Sequence, residues 1–116
     1  MNSGNSAAEI KELKVTIVRF VDEWQPGWVE CEFEDAERRK HKVIDKVPIF
    51  TSDQLSAETT YPVPGTMPCE IRARWRDTLG RDLARISIAN PLDDQSTEGL
   101  SEFVVLADQL VSAAPL

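Results

Sequence analysis

Cysteine and histidine are nearly absent from this chain: Cys31, Cys69 and His41 are the whole supply. Structural zinc sites are usually built from closely spaced pairs of Cys or His, and no such pair occurs, so no metal and no cofactor are expected. The five glycines are scattered and form no Gly-rich loop of the kind that cradles a phosphate. No apolar run is long enough to span a bilayer. The segment Met1–Glu9, MNSGNSAAE, lacks the basic and apolar regions of a secretory signal, so export by that route is not expected and a cytoplasmic location is. Positive charge is also in short supply, with thirteen Lys and Arg against twenty Asp and Glu and a formal net charge of -7. That field repels nucleic-acid phosphates and anionic membranes and attracts a basic partner, while also keeping a small domain soluble.

What is present reads as strands. The 116 residues, 41% of them apolar and 28% charged, are enough for one domain with a core of its own. Residues 11–112 are expected to form it, between tails at 1–10 and 113–116. LKVTIVRFV, from Leu13 to Val21, alternates and then becomes continuously apolar near Val18, the pattern of a central strand. Gln25-Pro26-Gly27 turns the chain between Trp24 and Trp28. WVECEFE (28–34) then alternates Val29, Cys31 and Phe33 against Trp28, Glu30, Glu32 and Glu34. KHKVIDKV (40–47) can return antiparallel with Glu34 opposite Lys40, Phe33 opposite His41, Glu32 opposite Lys42 and Cys31 opposite Val43. Asp45 then falls on the apolar face, opposite Val29.

Pro48 is expected to end that strand, with Thr51-Ser52-Asp53 capping a short helical turn before a loop over 56–68. CEIRARWR (69–76) places Cys69, Ile71, Ala73 and Trp75 inward, and RDLARISIA (81–89) returns with Ile71 opposite Ile86 and Cys69 opposite Ile88, unless a bulge at Gly80 moves the register by one. A polar loop from Asn90 through Gly99 leads to a last strand at 101–106. ADQLVSAAPL is read as one helical turn and a frayed end. The expected fold is all-β, a small antiparallel barrel or strongly curved sheet of about six strands with short helical turns.

Three sets of side chains carry possible chemistry. Cys31 and His41 share one face diagonally, which places a thiol near an imidazole but supplies no activation of the thiol. They could line a ligand pocket or enzyme site in the barrel interior together with the 56–68 loop. Arg72, Arg74 and Arg76, with Arg81 and Arg85 alongside, form a basic stripe that could follow a phosphate backbone, although Glu70, Asp77 and Asp82 stand ready to pair with it. Trp24 and Trp28 flank a turn, where large aromatics serve as interface anchors. The acidic set Glu30, Glu32, Glu34, Asp35, Glu37, Asp93, Asp94 and Glu98 is the expected surface for a basic partner.

The stretches QPGWVECEFEDA (25–36), DKVPIF (45–50), RWRDTLGRDLARI (74–86) and STEGLSEFVVLADQL (96–110) resemble those of small bacterial proteins, some of them similar to immunity proteins encoded beside polymorphic or contact-dependent growth-inhibition toxins. The resemblance implies a non-enzymatic protein that neutralises a cognate toxin domain by tight binding in the cytoplasm of the producing cell. Where the toxin is a nuclease its cleft is basic, and an acidic inhibitor associates with it quickly through electrostatic steering. Charge and resemblance thus point to one kind of partner.

Overall fold

The computed structural model describes residues 8–113. Its elements in chain order are β1 (Ile10–Asp22), β2 (Trp28–Glu34), β3 (Lys40–Lys46), a one-turn helix α1 (Val47–Phe50), β4 (Val63–Arg76), β5 (Asp82–Ser87), β6 (Glu102–Leu106), a 3-10 turn (Ala107–Gln109) and β7 (Leu110–Ser112). All pairings are antiparallel, in the order β3-β2-β1-β4-β5-β6, with β7 added beside the start of β1. The sheet curls into a half-barrel. Among the described residues no helix is long and apolar enough to cross a membrane. The expected tails at 1–10 and 113–116 lie largely outside the described residues, with Ile10 already in β1.

β1 is central because it serves two neighbours. Its first half pairs with β4 from Ile10↔Glu70 to Ile17↔Val63, and its second half pairs with β2 from Thr16↔Glu32 to Asp22↔Trp28. Register shifts at Val18 and Val21 interrupt the alternation just where the sequence becomes continuously apolar. They turn Arg19 outward onto Glu30, 2.9 Å away. The buried core is Leu13, Val15 and Ile17 from β1, Val29, Cys31 and Phe33 from β2, Val43 from β3, Met67 and Cys69 from β4, Ala84 and Ile86 from β5 with Ile88 just beyond it, and Phe103 and Val105 from β6, with Val47 and Phe50 of α1.

The β2–β3 hairpin has the expected register at every position from Trp28↔Lys46 to Glu34↔Lys40. Its ion pairs run diagonally instead of straight across: Lys40 reaches Glu32 at 3.4 Å and Lys42 reaches Glu30 at 3.7 Å. Ile71 lies opposite Ile86 as expected, but the bulge is between Ile71 and Ala73 and not at Gly80. One extra residue there places Trp75 across from Leu83 and leaves it 40% exposed, so the inward set stops short of Trp75.

Three boundaries differ from the sequence reading. β4 starts at Val63, inside the expected loop, and accommodates Pro64 and Pro68 because β5 joins only from Glu70 onward, leaving this half of the strand unpaired on its other edge. The helical turn precedes Thr51, with Pro48 in its first turn, where a missing N–H costs nothing. The segment after Leu106 makes a 3-10 turn as expected and then a short strand on β1 in place of a frayed end. α1 lies close over β4 at Gly65, where an added Cβ would stand 2.9 Å from the Phe50 carbonyl oxygen.

Candidate functional site

The open seam of the half-barrel is where β6 approaches the β2–β3 hairpin. Ala36 N–H donates to Val104 O at 2.8 Å, Thr97 N–H donates to Lys42 O at 2.8 Å, and the Gln109 side chain donates to Glu34 O at 2.8 Å. His41 is the plug of this seam. Its ring packs on Phe33 and Phe103, with centroids at 5.5 and 4.7 Å, and its side chain is only 7% exposed. Nε2 donates to Asp35 Oδ2 at 2.8 Å and Nδ1 donates to Glu98 Oε1 at 3.1 Å, an arrangement that requires both nitrogens to carry protons. Burial disfavours the imidazolium, but the hydrogen bonds to Asp35 and Glu98 outweigh it and hold its pKa above the ordinary 6.5. Burial likewise opposes ionisation of Asp35, yet bonds from His41 and from the backbone N–H groups of Arg39 and Glu37 hold its carboxyl below its usual range. Both nitrogens are therefore committed to a clamp between two loops, and neither is free to accept a proton from Cys31.

The thiols are equally unsuited to attack. Cys31 and Cys69 are free and buried, at 1% and 0% exposure. Desolvation pushes the Cys31 thiol far above its ordinary value and the Cys69 thiol up to about 12. β1 separates them, Cys31 pairing with Ile17 and Cys69 with Lys11. The expected loop over 56–68 is strand in its second half, from Val63.

The arginine stripe is consumed by pairing. Arg72 binds Glu70 at 2.8 Å, Arg74 binds Glu9 at 2.6 Å, Arg76 binds Asp82 at 3.0 Å, Arg81 binds Asp77 at 2.8 Å, and Arg85 lies 3.6 Å from Glu102.

The expected acidic surface is divided among several places. Glu30 is buried between Arg19 and Lys42, Glu32 pairs with Lys40, and Glu34 is exposed at the hairpin's end. Asp35 and Glu98 clamp His41, and Glu37 reaches Arg81 at 3.4 Å. Asp93 is exposed on the β5–β6 loop with φ 56. Asp94 beside it is partly buried, and burial together with the nearby Asp45 carboxylate raises its pKa to about 7; its Oδ1 accepts from Gln95 N–H at 3.1 Å, while its Oδ2 is buried with no hydrogen-bond partner.

Trp24 and Trp28 are brought together at the opposite end of the hairpin from His41. Trp24 is 76% exposed and lines a shallow hollow with Val21, Asp22, Trp28 and Ile44. The Lys46 ammonium stands over the Trp28 ring, 5.4 Å from its centroid. The carboxylates that matter here, Asp22 and Glu23, sit next to Trp24 in the chain, where an acidic pair before an aromatic turn was the available signal. Among the described residues, ten of the twenty acidic side chains make no ion pair, and these include Asp22, Glu23, Glu34, Asp53 and Asp93, whereas only Lys11, Lys14, Arg38 and Lys46 of the thirteen Lys and Arg are similarly free. Compared with protein-family models, with curated proteins and with solved structures, the chain matches none.

Proposed function

We propose that this chain is a non-enzymatic immunity protein that neutralises a basic toxin domain by binding it in the cytoplasm. The observation that carries the reading is the distribution of charge. Internal pairing absorbs most of the cations and leaves a surplus of carboxylates facing water, so the whole surface attracts a cationic protein and repels nucleic acid. The committed state of His41, the buried thiols and the paired arginines count against the interior-site and nucleic-acid alternatives. The resemblance to immunity proteins supplies the kind of partner. The reading is tested by sequencing the reading frames that flank this chain's gene and expressing a toxin-like domain found there in a host with and without this chain; flanks that encode no such domain overturn it. Restored growth that depends on this chain supports neutralisation; growth arrest unchanged by its presence overturns it.

A further inference from the structure

Trp24, 76% exposed, stands on a hydrogen-bonded turn. Trp24 N–H donates to Asp22 Oδ1 at 2.8 Å, Gly27 N–H donates back to Trp24 O at 2.8 Å, and Val47 N–H ties Gly27 O to α1 at 2.9 Å. Gly27 has φ 95, and the space its absent Cβ would occupy is closed by the Phe20 ring at 3.3 Å and by Val47 at 3.4 Å, so the turn is packed onto the core from below. The backbone that carries the indole is thus tied down while the ring itself faces solvent. Around it the apolar surface continues into Val21, 37% exposed, and the partly covered Trp28 and Ile44. An exposed aromatic beside partly covered apolar side chains is the pattern of an interface anchor with its surround.

The charges beside this hollow say what would sit in it. Asp22 and Glu23 make no ion pair among the described residues, and neither does Asp53, which borders the adjoining hollow lined by Gln25 and Pro26. The Lys46 ammonium stands over the Trp28 ring, and Trp24 is exposed. Resting on the immunity reading above, we infer that the turn Asp22–Trp28, with Val21 and Ile44, is the docking surface for an arginine-bearing segment of the basic partner. An apolar side chain of that segment fills the hollow, and its guanidinium stacks on Trp24 within reach of Asp22 and Glu23. Arg suits this place better than Lys because its planar head combines stacking on an aromatic face with paired donation to a carboxylate.

The test uses the full chain, labelled with 15N, titrated with the blocked peptide acetyl-Leu-Arg-Arg-amide and with the same peptide carrying citrulline, the uncharged isostere, for both arginines. Shift changes are expected at the Trp24 indole N–H and along 21–28 and 44–46. Binding should weaken about fivefold for the citrulline peptide and for Trp24→Ala, the size expected for an exposed cation–π contact. Because Trp24 is exposed, the variant's remaining spectrum stays native and reports its own fold. Shift changes centred on Glu34 and Glu37, or spread evenly over all acidic residues, overturn this surface while leaving the basic-partner reading in place. Equal response to both peptides overturns the guanidinium assignment.

Discussion

Replacing Asp35 by Asn isolates the proton that closes the seam. Asn retains an oxygen to accept from the Glu37 and Arg39 N–H groups, now at 2.8 and 3.0 Å from Asp35 Oδ1, but it presents an NH2 where Oδ2 received His41 Nε2–H. Donor then faces donor unless the imidazole gives up its proton. A hydrogen bond between charged groups contributes about 2 kcal/mol, and the Asp35 side chain is only 13% exposed, so little of this is lost to solvent screening. For a domain of this size that corresponds to a fall in Tm of about 8 °C. Glu98, 53% exposed, should matter less, and Glu98→Gln should cost about 0.5 kcal/mol. The pH dependence follows from the directions of the two shifts. His41 has a raised pKa, so its contribution is fully present below 6.5 and is lost as pH rises through the folded value. Asp35 has a lowered pKa, so its contribution is present above 3.8 and is lost as pH falls through its folded value. The deficit of Asp35→Asn should therefore be greatest near pH 5 to 6 and shrink in alkaline solution. Thermal denaturation at a series of pH values measures this, and because His41 is the only histidine its Hε1 resonance titrates without ambiguity. A deficit constant from pH 5 to 9, or a His41 that titrates at or below 6.5, would refute the clamp.

Asp94→Asn should stabilise the protein by about 1 kcal/mol at pH 8, because ionising this buried carboxyl near Asp45 costs stability that accrues as pH rises from 3.8 to about 7; the advantage should be smaller at pH 5 and vanish below 3.8; pH-dependent denaturant unfolding checks it. Gly65→Ala should cost about 1–3 kcal/mol by pushing the new Cβ against Phe50 O and Ile17, read in the same assay. Cys31 and Cys69 should react with a thiol reagent such as DTNB only at the rate of opening, and fully in denaturant, since both are free and buried; two rapidly reacting thiols in the native protein would contradict their placement.

Local alternation made the β2–β3 hairpin legible to the residue, because WVECEFE and KHKVIDK each alternate apolar and charged side chains and only one register satisfies both. Features set by distant parts of the chain were not legible. The burial of Glu30 depends on β1 lying beside β2 with Arg19 across it, and the role of His41 depends on Glu98, 57 positions away. The bulge at Arg72 leaves no mark on the period-2 pattern of CEIRARWR, so Trp75 reads as core when it is not. Val63–Pro68 is too rich in proline to read as strand, since the reason it is tolerated is an edge that only the finished topology leaves unpaired. Trp24 and Trp28 are visible in the sequence as a pair flanking a turn, but their unequal exposure, with Trp24 76% exposed and Trp28 partly covered, is not.

Whether the free carboxylates serve a basic protein partner can be read by recovering the tagged chain from its source cells across a range of ionic strength, alongside Asp22→Lys/Glu23→Lys. One basic protein at a stoichiometric level, released by salt and lost in the double variant, is the expected result. Recovery of nucleic acid alone, or of no companion at low salt, would contradict it.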